Sequence, residues 1–311
     1  MGRPGHASNI ETFTSVPHDL LDLLTAHLPY SLTLLRRLQS AAYKNLTKSD
    51  ARVILSPVRA AVMHGSSRLQ HFCVAYAEFS AGPETQMFMY SSMEPESADV
   101  KDPAHEENIM SVVGGLVRLR KEYDGRLVYG HGLLLGSLHS RVCKILIKHR
   151  RVEMRPTGNY EKFLFRMENV PEPREIPKEM HWGKASLEDC GLVASRAAVP
   201  RLPQSLVKLP GLMLKLQDET PICWAFIDLD GSLISVHCEE GYRRRGLAKT
   251  LAAKLLRQAV QAYSDDMFAG SDWFSADVSP DNRQSHALCL SLNGTPRWSV
   301  SWVFLDVTEP V

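Results

Sequence analysis

Apolar and polar positions along this chain fall into two rhythms, and the second half shows them more plainly. Leu247, Leu251, Leu255, Ala259 and Tyr263 recur every fourth residue, while Lys249, Lys254, Arg257 and Gln261 between them stay polar. That one-sided stripe predicts an amphipathic helix over Gly246–Tyr263. Ahead of it, Pro221–Asp228 and Leu233–Cys238 are short apolar runs, and Asp230-Gly231 between them supplies the turn chemistry of a hairpin. Trp273–Val278 and Trp298–Leu305 read as further strands, and Leu187–Ala197, Gln204–Lys208 and Ser285–Leu292 as short helices.

In the first half, Leu20, Leu21, Leu24 and Leu28 predict a helix within 16–43. Pro29 interrupts it, and Leu32, Leu35 and Leu38 continue it. Arg52–Leu55, Phe72–Phe79 and Gln86–Tyr90 read as strands, with a turn at Gly82-Pro83. Glu106–Glu122 reads as a helix closed by Asp124-Gly125, Leu127–Tyr129 as a strand and Ser137–Lys148 as a helix. Strands alternating with helices predict an α/β (α+β) fold. Pro171, Pro173 and Pro177 stand among charged residues between Asn169 and His181, which marks a linker. The expected division is a first domain over 1–170, a linker over 171–181 and a second domain over 182–311.

Composition changes this picture little. A chain of 311 residues suits two domains. A net charge of +1 leaves no protein-wide field to draw in nucleic acid or an anionic membrane, so any anion site must be local. No stretch approaches the ~20 apolar residues of a membrane span. Met1 to Phe13 lacks the apolar core of a secretory signal, so the cytoplasm is the default and a mitochondrial location is left open. Six cysteines without a C-x-x-C pair read as reduced thiols rather than a zinc site or redox motif. His105-Glu106-Glu107 lacks the second histidine of a zincin helix, and no metal is expected.

The chemistry concentrates in Arg243-Arg244-Arg245-Gly246-Leu247-Ala248, where a strand hands over to the long helix. A helix start presents orphan amide donors and partial positive charge. Gly246 admits close approach of a ligand to the backbone, Ala248 leaves room beside it, and three arginines add fixed charge. A diphosphate is the natural guest.

With hairpin, loop, helix, strand and Asn282 in this order, Pro221–Ala248 resembles the acyl-CoA-binding core of the GNAT superfamily. Within it, the chain is most similar to the glycine N-acyltransferase family and its FR47-like C-terminal domain. Ile222-Cys223-Trp224, Asp228, Gly231, Tyr242-Arg243 and Gly246-Leu247 carry the resemblance, with Asn282, Trp298 and Trp302 in the last segment. The Leu-rich opening, with Leu28-Pro29 and Ser31-Leu32, resembles that family more loosely. The resemblance implies tandem GNAT-like domains, mixed central sheets flanked by helices, and an acyl-CoA cleft in the C-terminal domain. It implies a degenerate first domain, to which no cofactor is assigned, since no comparable glycine-rich loop occurs in residues 1–170. Acyl-CoA or acetyl-CoA would be the acyl donor. Its pantetheine arm would lie between splayed strands, on main-chain groups of Val236 and Cys238. The diphosphate would sit on the loop, on Arg243 and the amides of Arg244, Arg245, Gly246, Leu247 and Ala248, and Asn282 would contact the cofactor arm. The partner would be a small-molecule amine.

The chain departs from that family at two positions. The glutamate that serves as base falls on Ser232, and the tyrosine that protonates the departing thiolate falls on Cys289. A serine alone cannot take a proton from an ammonium. Four readings stay open. A water on Ser232 relays the proton to Asp228, Asp230 or His237; an acceptor of low pKa needs only proximity; a different thioester reaction is catalysed; or acyl-CoA is bound without turnover. Regular strand alternation puts His237 on the face opposite Ser232 and Val236, which makes it a packed or solvent-facing residue.

Overall fold

A computed structural model describes residues 9–43, 50–57, 71–130, 132–197, 199–263 and 272–310. Residues 1–8 and the side chain of Tyr263 fall outside the described set. The chain forms two compact units, Met1–Asn159 with Ser299–Val311, and Tyr160–Trp298.

The first unit contains β1 (Glu11–Phe13), α1 (His18–Ala26), α2 (Leu32–Tyr43), β2 (Arg52–Ser56), β3 (Cys73–Ala77) and β4 (Met87–Ser91). It continues with α3 (Pro103–Glu122), β5 (Gly132–His139) and α4 (Ser140–Lys148). Strands β1 to β4 pair antiparallel in sequence order, and β4 meets β5 in parallel. Two strands serve both units: β6 (Val152–Arg166) begins in the first, and β12 (Thr295–Asp306) ends in it, antiparallel to β5. Both faces of this sheet are buried. Leu20, Leu24, Leu35 and Leu38 pack on Val53, Leu55, Val74 and Tyr76. On the other face Ile109, Val112, Val113 and Leu116 pack with Ile54, Cys73, Ala75 and Met87. Burial on both sides explains why these strands read as continuous apolar runs.

The second unit contains β7 (Met180–Gly183), α5 (Leu187–Arg196), α6 (Pro203–Leu206), β8 (Gly211–Leu216), β9 (Pro221–Ile227) and β10 (Leu233–Cys238). After them come α7 (Leu247–Tyr263), β11 (Trp273–Val278) and α8 (Arg283–Ser291). β7, β8, β9 and β10 form an antiparallel sheet in that order, and β11 pairs antiparallel with the C-terminal part of β6. Leu247, Leu251, Leu255 and Ala259 of α7 join Ile222, Cys223, Ala225 and Phe274 in one core. Cys190 and Val193 of α5 cover Met213, Trp224 and Phe226 on the other face.

The structure changes several expectations. Leu127–Tyr129 is not a strand; Tyr129 makes only an isolated bridge to Gly132. The strand is Gly132–His139, so residues 137–139, expected in a helix, belong to that strand, and α4 starts at Ser140. The run Leu133-Leu134-Leu135 is buried throughout, and periodicity cannot separate such a strand from a buried helix. β1, β6, β7 and β8 were not foreseen. The proline-bearing stretch 169–181 lies inside the second unit, where Met167–Asn169 forms a 3-10 turn and Met180 opens β7.

Helix α5 opens with a reciprocal cap. Asp189 N donates to Ser186 Oγ at 3.0 Å, and Ser186 N donates to Asp189 Oδ2 at 2.8 Å. Ser186→Ala is expected to cost about 1 kcal/mol. Urea unfolding checks this, as a lower midpoint at unchanged slope; an unmoved midpoint removes the cap's contribution.

Candidate functional site

The site is built from the β9–β10 hairpin and the strand β11. Gly231 takes φ +77 in the turn, where its N–H donates to Asp228 O at 2.9 Å. Ser232, just past the turn, makes a parallel bridge to Ser275 of β11. Among the described residues no ladder follows that bridge: β10 pairs onward with β9, and β11 with β6. Beyond that bridge β10 and β11 run close to each other without being joined in a ladder.

A bulge shapes the β10 side of this slot. Ile234 faces Phe226 and His237 faces Trp224, so Ser235 and Val236 together oppose Ala225. Ser235 takes φ +51 there. Such a bulge leaves its extra residue outside the ladder and turns the strand. It also overturns the regular alternation used to place His237. His237 lies on the face of Ile234, stacked on Trp224 at 4.6 Å between centroids and 18° between planes. It is packed, as expected, though through the bulge rather than through alternation. Burial lowers its proton affinity, which Glu239 opposes. Past the bulge, Glu239 N donates to Ile222 O at 2.9 Å. This makes Cys223 and Cys238 a non-hydrogen-bonded pair, in which the N–H and C=O of Cys238 point away from β9.

The loop from Glu239 to Gly246 makes a 3-10 turn at Glu240–Tyr242 and then two residues of positive φ, Arg244 at +63 and Gly246 at +78. Alternating backbone hand of this kind turns successive amides toward one point and makes an anion-binding concavity. In α7 the first N–H with a backbone acceptor is that of Thr250, on Gly246 O at 3.0 Å. The side chains brace the backbone: Arg243 Nε donates to Cys238 O at 2.9 Å, and Arg245 Nη2 to Gly241 O at 3.1 Å. The Arg245 guanidinium also lies 5.3 Å from the Tyr242 ring centroid. Leu247 is buried and anchors the helix start, while Arg243, Arg244, Arg245 and Gly246 are exposed. A Cβ added at Gly246 would meet no atom within 4 Å, so the concavity is open. These residues fit a diphosphate.

Where the slot closes there is a buried polar cluster. Asp230 is 3% exposed, and its Oδ1 accepts from Ser232 N at 3.0 Å and from the Ser232 hydroxyl. On the facing strands Lys162 and Asp277 are direct cross-strand partners, with Nζ and Oδ1 2.7 Å apart and both nearly buried. Ser275 is buried and its Oγ has no hydrogen-bond partner. Asp228, at the end of β9, is ion-paired to Arg201 at 3.0 Å. Burial, helped by the charge of Asp228, pushes the Asp230 carboxyl up to about 6; Lys162 and the Ser232 hydroxyl pull the other way. A carboxylate and its conjugate acid are thus both accessible near neutral pH, as proton transfer requires.

That shift has a consequence for stability. A carboxyl whose folded value lies above its unfolded ~3.9 favours the fold below the unfolded value and loses that contribution as pH rises through the folded one. Asp230→Asn cannot ionise. Its melting temperature is expected to gain on the wild type between about pH 4 and the folded value near 6, then to hold a constant lead. A difference that does not change with pH removes the argument.

The structure sets Asp230 and Ser232 at the start of β10 and Cys238, with the loop that follows, at its other end, and places Val236 in the bulge. Asn282 caps α8, its Oδ1 accepting from Ser285 N at 3.0 Å, and is otherwise exposed. Cys289 lies in the hydrophobic core with Phe163, Phe165 and Leu292, and burial pushes its thiol up to about 12. Sequence reading did not find Lys162, Ser275 or Asp277. The signal was present in Trp273–Val278, where Ser275 and Asp277 alternate with apolar residues on one strand. Among the described residues no cluster of His, Cys, Asp or Glu could hold a metal ion, and no helix is long and apolar enough to cross a membrane.

The family described as the acyl-CoA N-acyltransferase verG N-terminal domain matches residues 7–163. An X-ray structure of a Drosophila protein aligns at TM-score 0.62 and 15% identity, covering 97% of this chain and 100% of that one. A tandem GNAT protein from the clavulanic acid biosynthesis pathway aligns at TM-score 0.52 and 8% identity, over 97% of this chain and 99% of that one. A GCN5-related N-acetyltransferase from Sphaerobacter thermophilus aligns at 0.51 and 13%, over 97% of each chain. No curated protein matches. At such identities the structures speak for the fold, which is a tandem GNAT-like α/β architecture. The family match falls on the first half, where the sequence resemblance was loosest; the arginine-bearing loop lies outside it.

Proposed function

The chain belongs to the family of the acyl-CoA N-acyltransferase verG N-terminal domain, and from that premise we propose that it transfers an acyl group from acyl-CoA to the amine of a small molecule or amino acid. The observation that carries the reading is the isolated Ser232–Ser275 bridge, after which no ladder joins β10 to β11, with a loop of positive-φ residues following β10.

In this reading the loop amides from Arg244 to Ala248 hold the diphosphate. The pantetheine arm lies along β10 as an added strand, against the bulge and the outward main chain of Cys238. The thioester then reaches the closed end of the slot, where Ser232 and Asp230 wait. The ammonium of the acceptor gives a proton to the Ser232 hydroxyl as that hydroxyl passes its own to Asp230. The freed nitrogen attacks the thioester carbon and forms the C–N bond; as the C–S bond breaks, the proton still held by that nitrogen passes to the departing sulfur, and CoA leaves as the thiol. Asp230 is thus the base and Ser232 its relay, which accounts for the missing glutamate. Cys289 has no part in this scheme: a core thiol pushed up to about 12 is too weak an acid to protonate a leaving thiolate.

Release of free CoA, measured with and without a panel of amines, tests the reading. Release only with amines supports transfer. Release without them makes the protein a thioester hydrolase, and binding without release makes it an acyl-CoA-binding protein.

A further inference from the structure

Cys223 of β9 and Cys238 of β10 are direct cross-strand partners, and both are free thiols. Theirs is a non-hydrogen-bonded position, as the bond from Glu239 N to Ile222 O shows. In such a pair the Cα atoms lie about 4.5 Å apart with both side chains on one face. That is within the roughly 4.4–6.8 Å a disulfide spans. The two are not equivalent. Cys223 is fully buried, whereas Cys238 is half-buried, at the mouth of the loop. A hydrogen bond from Cys223 lowers the proton affinity of the Cys238 thiol, with help from Arg243 and Arg245, and raises that of Cys223. One thiol is reachable and activated; the other stands behind it. The remaining four, Cys73, Cys143, Cys190 and Cys289, are buried.

We propose that Cys223 and Cys238 form a reversible disulfide, made by exchange with a low-molecular-weight disulfide, and that closing it weakens acyl-CoA binding. In the first step the Cys238 thiolate attacks one sulfur of the small disulfide, forming a mixed disulfide and expelling one thiolate. In the second the Cys223 thiolate attacks Cys238 Sγ and expels the other. The pair loses two electrons, the small disulfide gains them, and the two cysteine protons end on the two released thiols.

The effect on binding rests on the function proposed above. Directly opposed Cβ atoms stand about 4.5–5.5 Å apart, and a disulfide draws them to about 3.8 Å. Closure therefore pulls the last residue of β10 toward β9 and away from the slot. The carbonyl of that residue holds Arg243, and with it the start of the phosphate loop.

The test uses the whole chain in glutathione mixtures of increasing oxidised fraction. Free thiols are counted, non-reduced digests are mapped by mass spectrometry, and CoA affinity is read by calorimetry. Thiols are expected to fall from six to four, with one linked pair of peptides carrying Cys223 and Cys238. CoA affinity is expected to fall about tenfold, which is 1.4 kcal/mol, and to return with dithiothreitol. Cys223→Ala should bind CoA as the reduced wild type does, and under oxidation it should stop at the mixed disulfide, with one glutathione on Cys238 and no linked pair of peptides. The proposal is overturned if six thiols persist at every mixture, if the disulfide forms without a change in affinity, or if Cys223→Ala takes up no glutathione on Cys238. Reduced wild type that binds no CoA overturns the acyl-CoA reading and the affinity effect with it. The linked peptides decide disulfide formation separately.

Discussion

Asp230→Asn lowers kcat by about 10²–10⁴-fold, the usual contribution of a positioned base, and leaves CoA affinity near that of the wild type. Asparagine keeps the shape and can still accept the Ser232 hydroxyl at its side-chain oxygen. It cannot take a proton. A loss confined to kcat would therefore identify proton transfer rather than packing as the role of Asp230. Burial raises the carboxyl to about 6, so wild-type turnover is expected to rise through that pH as Asp230 ionises, and the residual rate of the variant should lack that limb. Ser232→Ala should fall less far, since a water in the vacated space can bridge the amine to Asp230. A variant that folds, binds CoA and turns over at the wild-type rate would end the assignment of Asp230 as base.

The sequence announced some parts of this site and hid others, for physical reasons. The loop was legible because its chemistry is local: arginines, a glycine that can take φ +78, and an amphipathic helix lie within a few residues. The proton relay was half legible. Asp230 and Ser232 are neighbours in a turn, yet the burial that makes Asp230 a base comes from strands dozens of residues away. Lys162 and Asp277 were out of reach because their pairing depends on the register of β6 with β11, and β6 itself was not foreseen. The bulge was missed for a related reason: a single residue extra on β10 reverses the faces after it, and nothing in Ile234-Ser235-Val236-His237 signals that insertion.

The first unit shows what the loop's chemistry requires by lacking it. There too a strand, β4, is followed by a helix, α3, and is joined to the next strand, β5, in parallel through Met87 and Leu135. But α3 opens at Pro103, which has no N–H, and the Asp102 side chain accepts from Ala104 N at 2.9 Å. The amides a phosphate would use are absent or taken, and a carboxylate stands where the anion would sit. Equivalent order of elements does not make an equivalent site; the residues at the helix start decide it.

Gly246→Val weakens CoA binding by about 100-fold or more, through geometry rather than charge. Each hydrogen bond to a charged group contributes about 1.5–3 kcal/mol, so losing two removes at least this much. A β-branched residue at φ +78 is a steric outlier, and relieving it requires the peptide planes on either side to rotate. Those planes carry the amides of Gly246 and Leu247, which would then no longer converge. The added side chain also enters the space open above Gly246, where the anion would lie. The backbone strain costs about 1–3 kcal/mol of stability, with no clash added to it, because the substitution meets no protein atom there. The decisive comparison is with pantetheine, which has the arm and lacks the diphosphate. Its weak affinity should be the same in both proteins, so the ratio of CoA to pantetheine affinity collapses in the variant. If both ligands weaken equally, the loop acts on the slot as a whole rather than on the phosphates. If a folded Gly246→Val binds CoA as tightly as the wild type, the diphosphate lies elsewhere and the site must be redrawn.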